Sequence, residues 1–457
     1  MYGAGVLPWN RLPRVRGLLL HALGVLSLAA VVSCTTVASG SAPSPGLVAG
    51  SSAPASTPTP AATSPSPRVA VTPSVAPVPS PSASPVPSAV PAWTPLPVES
   101  LTPVVLERKA TRTVKRILDN QVNKQGIAGL QVAVRTPDGR TWSAAAGVAE
   151  FGPDRPLREH TQMAIASVTK TFVAALILQL AEEGKIDLDA TFGSYFRDAP
   201  RKDTVTIRQL LSHRSGIYNI WANPRYGKIT EAWWKRPNAS GLRSRSHRWT
   251  YEEMMDLVKS GLFKPGEDYS YSNTNYVILG KVAEAVEGRP LAAQLRQRFF
   301  EPLGLDDTIY QPAQKPRADA AHGHWAWGSG HLDHTRDADY IPFLAAVTVA
   351  DAAGAMASTA SDLARWSGAL YGGEVLEPEM LDQMTTFLKP GLYGLGTDVA
   401  VFAGHVAYGH RGGIRGYESS MWYFPESGVS IVLLSNQGNW VTDAPMERIA
   451  KAVLGEA

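Results

Sequence analysis

Ser167 and Lys170 stand three residues apart at the head of the apolar run Thr171-Phe172-Val173-Ala174-Ala175-Leu176-Ile177-Leu178-Gln179-Leu180. Three residues is close to one helical turn, so hydroxyl and amine share a face within reach of each other. The run is apolar nearly all round and meets no Pro or Gly before Gly184. It predicts a buried helix closed by a left-handed glycine. In the first turn of such a helix, free N–H groups and the helix dipole favour developing negative charge. Desolvation drives a lysine toward its neutral amine, which can accept the serine proton. An ordinary capping serine with an unrelated lysine would look the same, so the partners decide.

Two further motifs supply them. Tyr271-Ser272-Asn273 lies between the turn Phe263-Lys264-Pro265-Gly266 and a second apolar helix beginning near Tyr276, and it is the only Tyr-x-Asn in the chain. A phenol beside a lysine can be driven toward phenolate and take a serine proton, while an Asn amide can hold a substrate amide carbonyl. His410-Arg411-Gly412-Gly413 contains the only His-x-Gly. An imidazole at a strand edge could steady the hydroxyl–lysine–phenol cluster, and glycines there leave room for a substrate backbone. The N–H groups of Ser167 and Gly413 could form an oxyanion hole. Lys389-Pro390-Gly391 is a rival Lys-x-Gly, set aside because its Pro cannot donate along a strand. His213, at the end of a short helix over 207–216 closed by Gly216, reads as structural. His322, His324, His331 and His334 lack a helical i, i+4 pair, so no metal is expected.

The elements that must carry these groups are legible in outline. Val104 to Asn123 has helical periodicity, 129–135 and 141–148 alternate as strands, and Pro137-Asp138-Gly139 is their turn. A helix over 361–370 is followed by strands over 394–399, 407–418, 419–424 and 429–435, then a helix over 445–454. Helix, hairpin, helix and a terminal meander suggest a mixed α/β layer with an antiparallel sheet. The stretch 217–246, rich in Trp and basic residues, breaks the pattern and is expected to be a lid or substrate-facing wall.

The 457 residues carry 43 basic and 40 acidic side chains, a net charge of +3, which gives no pointer to nucleic acid. The single cysteine, Cys34, excludes an intramolecular disulfide. Arg11, Arg14 and Arg16 precede the apolar segment 17–32, which ends Val31-Val32-Ser33-Cys34. That is the form of a secretory signal over 1–33. Residues 34–103 are Ser, Pro, Ala, Thr and Val with almost no charge and cannot build a core. They read as a disordered tether leading to a domain over 104–457, and its ~65 residues would reach from ~45 Å as a coil to ~200 Å fully extended.

Ser167-x-x-Lys170, Tyr271-x-Asn273 and His410-x-Gly412, in that order, resemble the three motifs of the penicillin-recognising serine hydrolases. That superfamily includes class C β-lactamases, D-alanyl-D-alanine carboxypeptidases and related esterases. Leu210-Leu211-Ser212-His213-Arg214-Ser215-Gly216 and Glu301-Pro302-Leu303-Gly304-Leu305 are also similar to family segments. The resemblance implies an α+β fold, a five-stranded antiparallel sheet flanked by helices with an inserted mainly helical subdomain, and a site in the cleft between. Ser167 would form an acyl-enzyme, with Lys170 and Tyr271 sharing acid and base work and Asn273 orienting the substrate. No cofactor is implied. The expected activity is D,D-carboxypeptidase or β-lactamase-type hydrolysis of wall peptides, with an esterase or a non-hydrolytic sensor as alternatives. Arg411 replaces the small hydroxyl residue often found in the third motif and could supply positive charge for a substrate carboxylate. The signal resembles a lipoprotein box, in which Cys34 would carry the lipid and hold a monomeric enzyme on the outer face of the cell membrane; plain secretion is the alternative.

Overall fold

The computed structural model describes residues 106–235, 239–325, 342–389, 391–440 and 442–455. The expected signal, Cys34, the expected tether, His331, His334 and Pro390 lie outside them. Helix α1 (Arg108–Gln125) ends on left-handed Gly126 and buries Val114, Ile117 and Leu118, the 3–4 spacing that made it legible. Strands β1 (Gly129–Arg135) and β2 (Thr141–Glu150) form the predicted hairpin, and β3 (Arg155–Pro156) pairs with the far end of β2. Helix α2 (Thr169–Glu182) follows; eleven of its residues are buried, Lys170 among them, and Gly184 beyond it has φ +68°.

The middle of the chain is helical. It holds α3 (Ile207–Leu211), α4 (Pro224–Lys235) and α5 (Asn273–Glu287). The expected loop over 217–246 therefore carries a 12-residue helix, Pro224–Lys235, in its middle. Ile229, Ala232 and Trp233 at helical spacing bury one side of α4, while Trp234 lies under the Arg245 and Arg415 guanidiniums. Helix α3 stops before Gly216. Its chain reversal is made at His213, at φ +58°, while Gly216 takes φ +65° where a β-carbon would come within 2.4 Å of the Phe263 carbonyl.

Helix α6 (Ala360–Tyr371) slots between α2 and the sheet; Trp366 stacks on Phe172 at 3.9 Å and its Nε1–H donates to Thr171 Oγ1 (2.9 Å). Then come β4 (Asp398–Phe402), β5 (His405–Ile414), β6 (Tyr417–Phe424), β7 (Val429–Ser435) and α7 (Asp443–Leu454). The expected strand over 407–418 is broken by a turn at Arg415-Gly416, where Gly416 takes φ +83°. All neighbours are antiparallel, in the order β3-β2-β1-β7-β6-β5-β4. The sheet thus has seven strands where five were implied, because the short β3 and β4 extend a five-stranded centre at its two edges.

Strand alternation splits the core between the two faces. One face, with Met421, Tyr423, Val432 and Leu434, packs against the α2 and α6 side. The other, with Ala407, Trp422, Ile431 and Leu433, packs under α1 and α7. Each fully buried large apolar side chain contributes roughly 1.5–3 kcal/mol, so α2 is held by its whole circumference. Among the described residues no helix is long and apolar enough to cross a membrane.

Candidate active site

Ser167 sits in a 3-10 turn, Ala166–Val168, that runs directly into α2. It is half-buried, and the residue before it, Ala166, takes φ +46°, a conformation uncommon for a residue with a β-carbon. Two contacts brace this turn. Ser419 Oγ donates to the Ile165 carbonyl at 2.8 Å, and Gly412 of β5 lies against it so closely that a β-carbon there would fall 2.4 Å from Ile165 O. Gly412 is thus required by the serine turn.

Lys170 is fully buried on the next turn. Its Nζ lies 3.0 Å from Ser167 Oγ, 2.9 Å from Asn273 Oδ1 and 2.6 Å from the Ala353 carbonyl. Burial pushes the amine well below the ordinary lysine range. A neutral amine has two hydrogens and one lone pair. The two carbonyl oxygens can only accept, so they take the hydrogens and leave the lone pair facing the Ser167 hydroxyl. Asn273, expected to orient substrate through its amide, spends its oxygen on Lys170, and its Nδ2 donates to Asn219 Oδ1 at 3.5 Å.

Tyr271 enters from the loop before α5, with Lys170 Nζ 5.0 Å from its ring centre. Burial raises the phenol's pKa, and the influence of the Ser167 hydroxyl offsets this only in part. The expected drive toward phenolate is absent because the lysine beside it is pushed toward the uncharged form. His213 packs on Tyr271 with ring centres 4.1 Å apart. Its Nδ1 accepts from the Ser272 N–H (3.2 Å) and its carbonyl from the Ser270 N–H (3.0 Å), so this histidine pins the tyrosine loop.

His410 does not touch the cluster through a hydrogen bond. Its Nε2 meets the Tyr393 hydroxyl at 2.9 Å, its Nδ1 faces the Arg411 carbonyl, and its ring centre is 6.3 Å from that of Tyr271. Burial holds its pKa down to about 3, so it is a neutral spacer between Tyr393 and the strand. Arg411 points the other way. It stacks over Trp422 (4.7 Å) on the opposite face of the sheet and pairs with Asp398 (3.0 Å) and Asp443 (2.8 Å). It cannot supply the cation expected of it.

The edge of β5 completes the arrangement. β4 pairs only with its lower half, from Phe402 opposite His405 to Asp398 opposite Gly409, and among the described residues no strand pairs with 410–414 on that side. The Gly409 carbonyl faces β4, where it accepts from Thr397 Oγ1 (3.2 Å), and the period of two then turns the N–H and carbonyl of Gly413 to the open edge. Sequence reasoning named Ser167, Lys170, Tyr271, Asn273, His410, Gly412 and Gly413. It missed Tyr393, Asn219 and the Ala353 carbonyl, which carry no motif; the glycines flanking Leu392-Tyr393 and the small-residue stretch 352–355 were the only available signals. No group of three or more His, Cys, Asp or Glu among the described residues is placed to hold a metal.

An α/β/α sandwich with a serine–lysine–tyrosine cluster beside an open strand edge defines a serine hydrolase. The sequence model of the Beta-lactamase family matches residues 114–456, and the chain belongs to that family. It is 26% identical over 309 residues to a penicillin-binding protein of Bacillus subtilis, covering 64% of either chain. It is 24% identical over 345 residues to the D-aminopeptidase of Brucella ovis, covering 73% of this chain and 60% of the relative. It thus spans less than two thirds of the length of these relatives. The crystal structure of D-amino acid amidase from Ochrobactrum anthropi SV3 is similar at a TM-score of 0.65 and 26% identity, over 75% of this chain and 98% of that one.

Proposed function

We propose that this hydrolase cuts amide bonds on the carbonyl side of D-amino-acid residues through an acyl-enzyme on Ser167. The carrying observation is the buried Lys170 amine 3.0 Å from Ser167 Oγ with its hydrogens committed to Asn273 and Ala353. Lys170 takes the hydroxyl proton as Oγ attacks the carbonyl carbon. The oxyanion faces the N–H groups of Ser167 and Gly413. Tyr271, a neutral phenol, passes a proton to the leaving nitrogen and is replenished from Lys170; water then releases the acid by the reverse relay. No cofactor enters these steps. The D-configuration is supported by the relatives named D-aminopeptidase and D-amino acid amidase.

Wall peptides are the natural source of such residues for an exported enzyme, and D,D-carboxypeptidase activity is the narrower reading. It calls for a cation at the substrate's terminal carboxylate, and the ion pairs of Arg411 weigh against the third motif supplying one. We further propose that the enzyme is monomeric and held at the outer membrane face through lipidated Cys34 and the tether; Cys34→Ala should release it to the medium.

The test is turnover of a D-Ala-D-Ala peptide, a D-amino-acid amide and a nitrophenyl ester, with Ser167→Ala as control. Release of product from either amide supports the reading. Ester turnover alone makes the protein an esterase, and a stable acyl-enzyme makes it a sensor.

A further inference from the structure

Gly413 and Glu418 are opposite residues on β5 and β6, so their side-chain positions share one face of the sheet. Glu418 fills both. Its Oε1 accepts from the Asn439 N–H at 3.1 Å, while its Oε2 turns over Gly413, where a β-carbon would come within 2.9 Å of it. A carboxyl group thus occupies the place of a side chain on the residue that offers the oxyanion-hole N–H. Of the arginines two residues either side of Gly413, Arg411 is engaged by Asp398 and Asp443, and Arg415 stacks over Trp234 at 3.9 Å.

A substrate residue lying along the open edge pairs with Gly413 as a strand residue would: its carbonyl accepts from the Gly413 N–H, and its own nitrogen donates to the Gly413 carbonyl. That nitrogen is the α-nitrogen of the acyl group being transferred. We propose that Glu418 recognises a free α-ammonium on this nitrogen, so that the preferred substrates are D-aminoacyl amides or peptides cut after their first residue. This rests on the D-amino-acid reading above. The charges are consistent. A lone carboxylate beside the oxyanion would oppose the developing negative charge, and burial pushes Glu418 up to about 8, so near neutral pH it is uncharged until a cation arrives. The ammonium then draws the proton off to solvent and stands between the two negative centres. An N-acylated substrate brings no such charge.

The test reads binding without requiring amide cleavage. D-Alaninamide and N-acetyl-D-alaninamide are compared as competitive inhibitors of nitrophenyl acetate hydrolysis at pH 7, in the wild type and in Glu418→Gln. The amine is expected to bind at least tenfold more tightly than its acetylated form in the wild type, and the gap is expected to close to within twofold in the variant. No gap in the wild type, or a gap that survives in Glu418→Gln, overturns the inference. Should Glu418→Gln fail to fold, Glu418→Asp, which withdraws the carboxyl by one methylene, must narrow the same gap. Because inhibition is read on a neutral ester, this outcome stands apart from whether any D-amide is hydrolysed.

Discussion

Gly412 faces the backbone nitrogen of Ser167 so closely that a β-carbon on it would lie 2.9 Å from that nitrogen. The strand edge and the serine turn are therefore locked together by the absence of one methyl group. Gly412→Ala should force the two apart at a cost of about 1–3 kcal/mol and lower esterase kcat/KM by at least ~100-fold, as for loss of an oxyanion-hole donor. Gly413→Ala meets only the movable end of Glu418 and should keep its melting temperature close to wild type. Thermal melts beside ester kinetics on the two variants check the contrast.

Lys170→Met keeps the length of the side chain and removes the proton acceptor. Acylation by nitrophenyl acetate should fall roughly 10²–10⁴-fold, the span of a lost general base. Since burial lowers the Lys170 pKa, wild-type acylation should persist well below pH 10 and fade on the acid side as the amine gains its proton. The pH profile of kcat/KM measures this, and an acid limb unchanged in Lys170→Met would assign it to another group.

Buried His213 and His410 are both held below the ordinary imidazole range, His410 to about 3. The unfolded chain binds these protons near pH 6.5 and the native state resists them, so their contribution is complete above 6.5 and is lost as pH falls toward 3. Each histidine steepens that loss by up to about 1.4 kcal/mol per pH unit. Urea unfolding at pH 7, 6 and 5 should show the fall, and His410→Gln should make it shallower.

Arg411→Gln leaves Asp398 and Asp443 without their partner. Asp398, whose carboxyl burial raises to about 6, is the costlier of the two. The melting temperature should drop, while the ratio of kcat/KM between carboxylate-terminated and amide-terminated substrates should stay within twofold. A selective loss on the carboxylate-terminated substrate would return Arg411 to the site.

The amino-acid order by itself determined the parts that depend on near neighbours. The 3–4 spacing in α1, the unbroken apolar run of α2, the β1–β2 hairpin and the Ser-x-x-Lys face all follow from local periodicity. What required the folded chain was the work of residues brought together from afar. Nothing near Lys170 in the chain announces that the Ala353 carbonyl and Asn273 will take its hydrogens. Nothing near Arg411 announces that Asp398 and Asp443 will hold it on the far face, although strand alternation sets it opposite His410. The Tyr271 phenol was misjudged for the same reason. Its pKa answers to burial and to the charge state of a lysine about a hundred positions away in the chain, and desolvation is a property of the packed interior that no local pattern encodes.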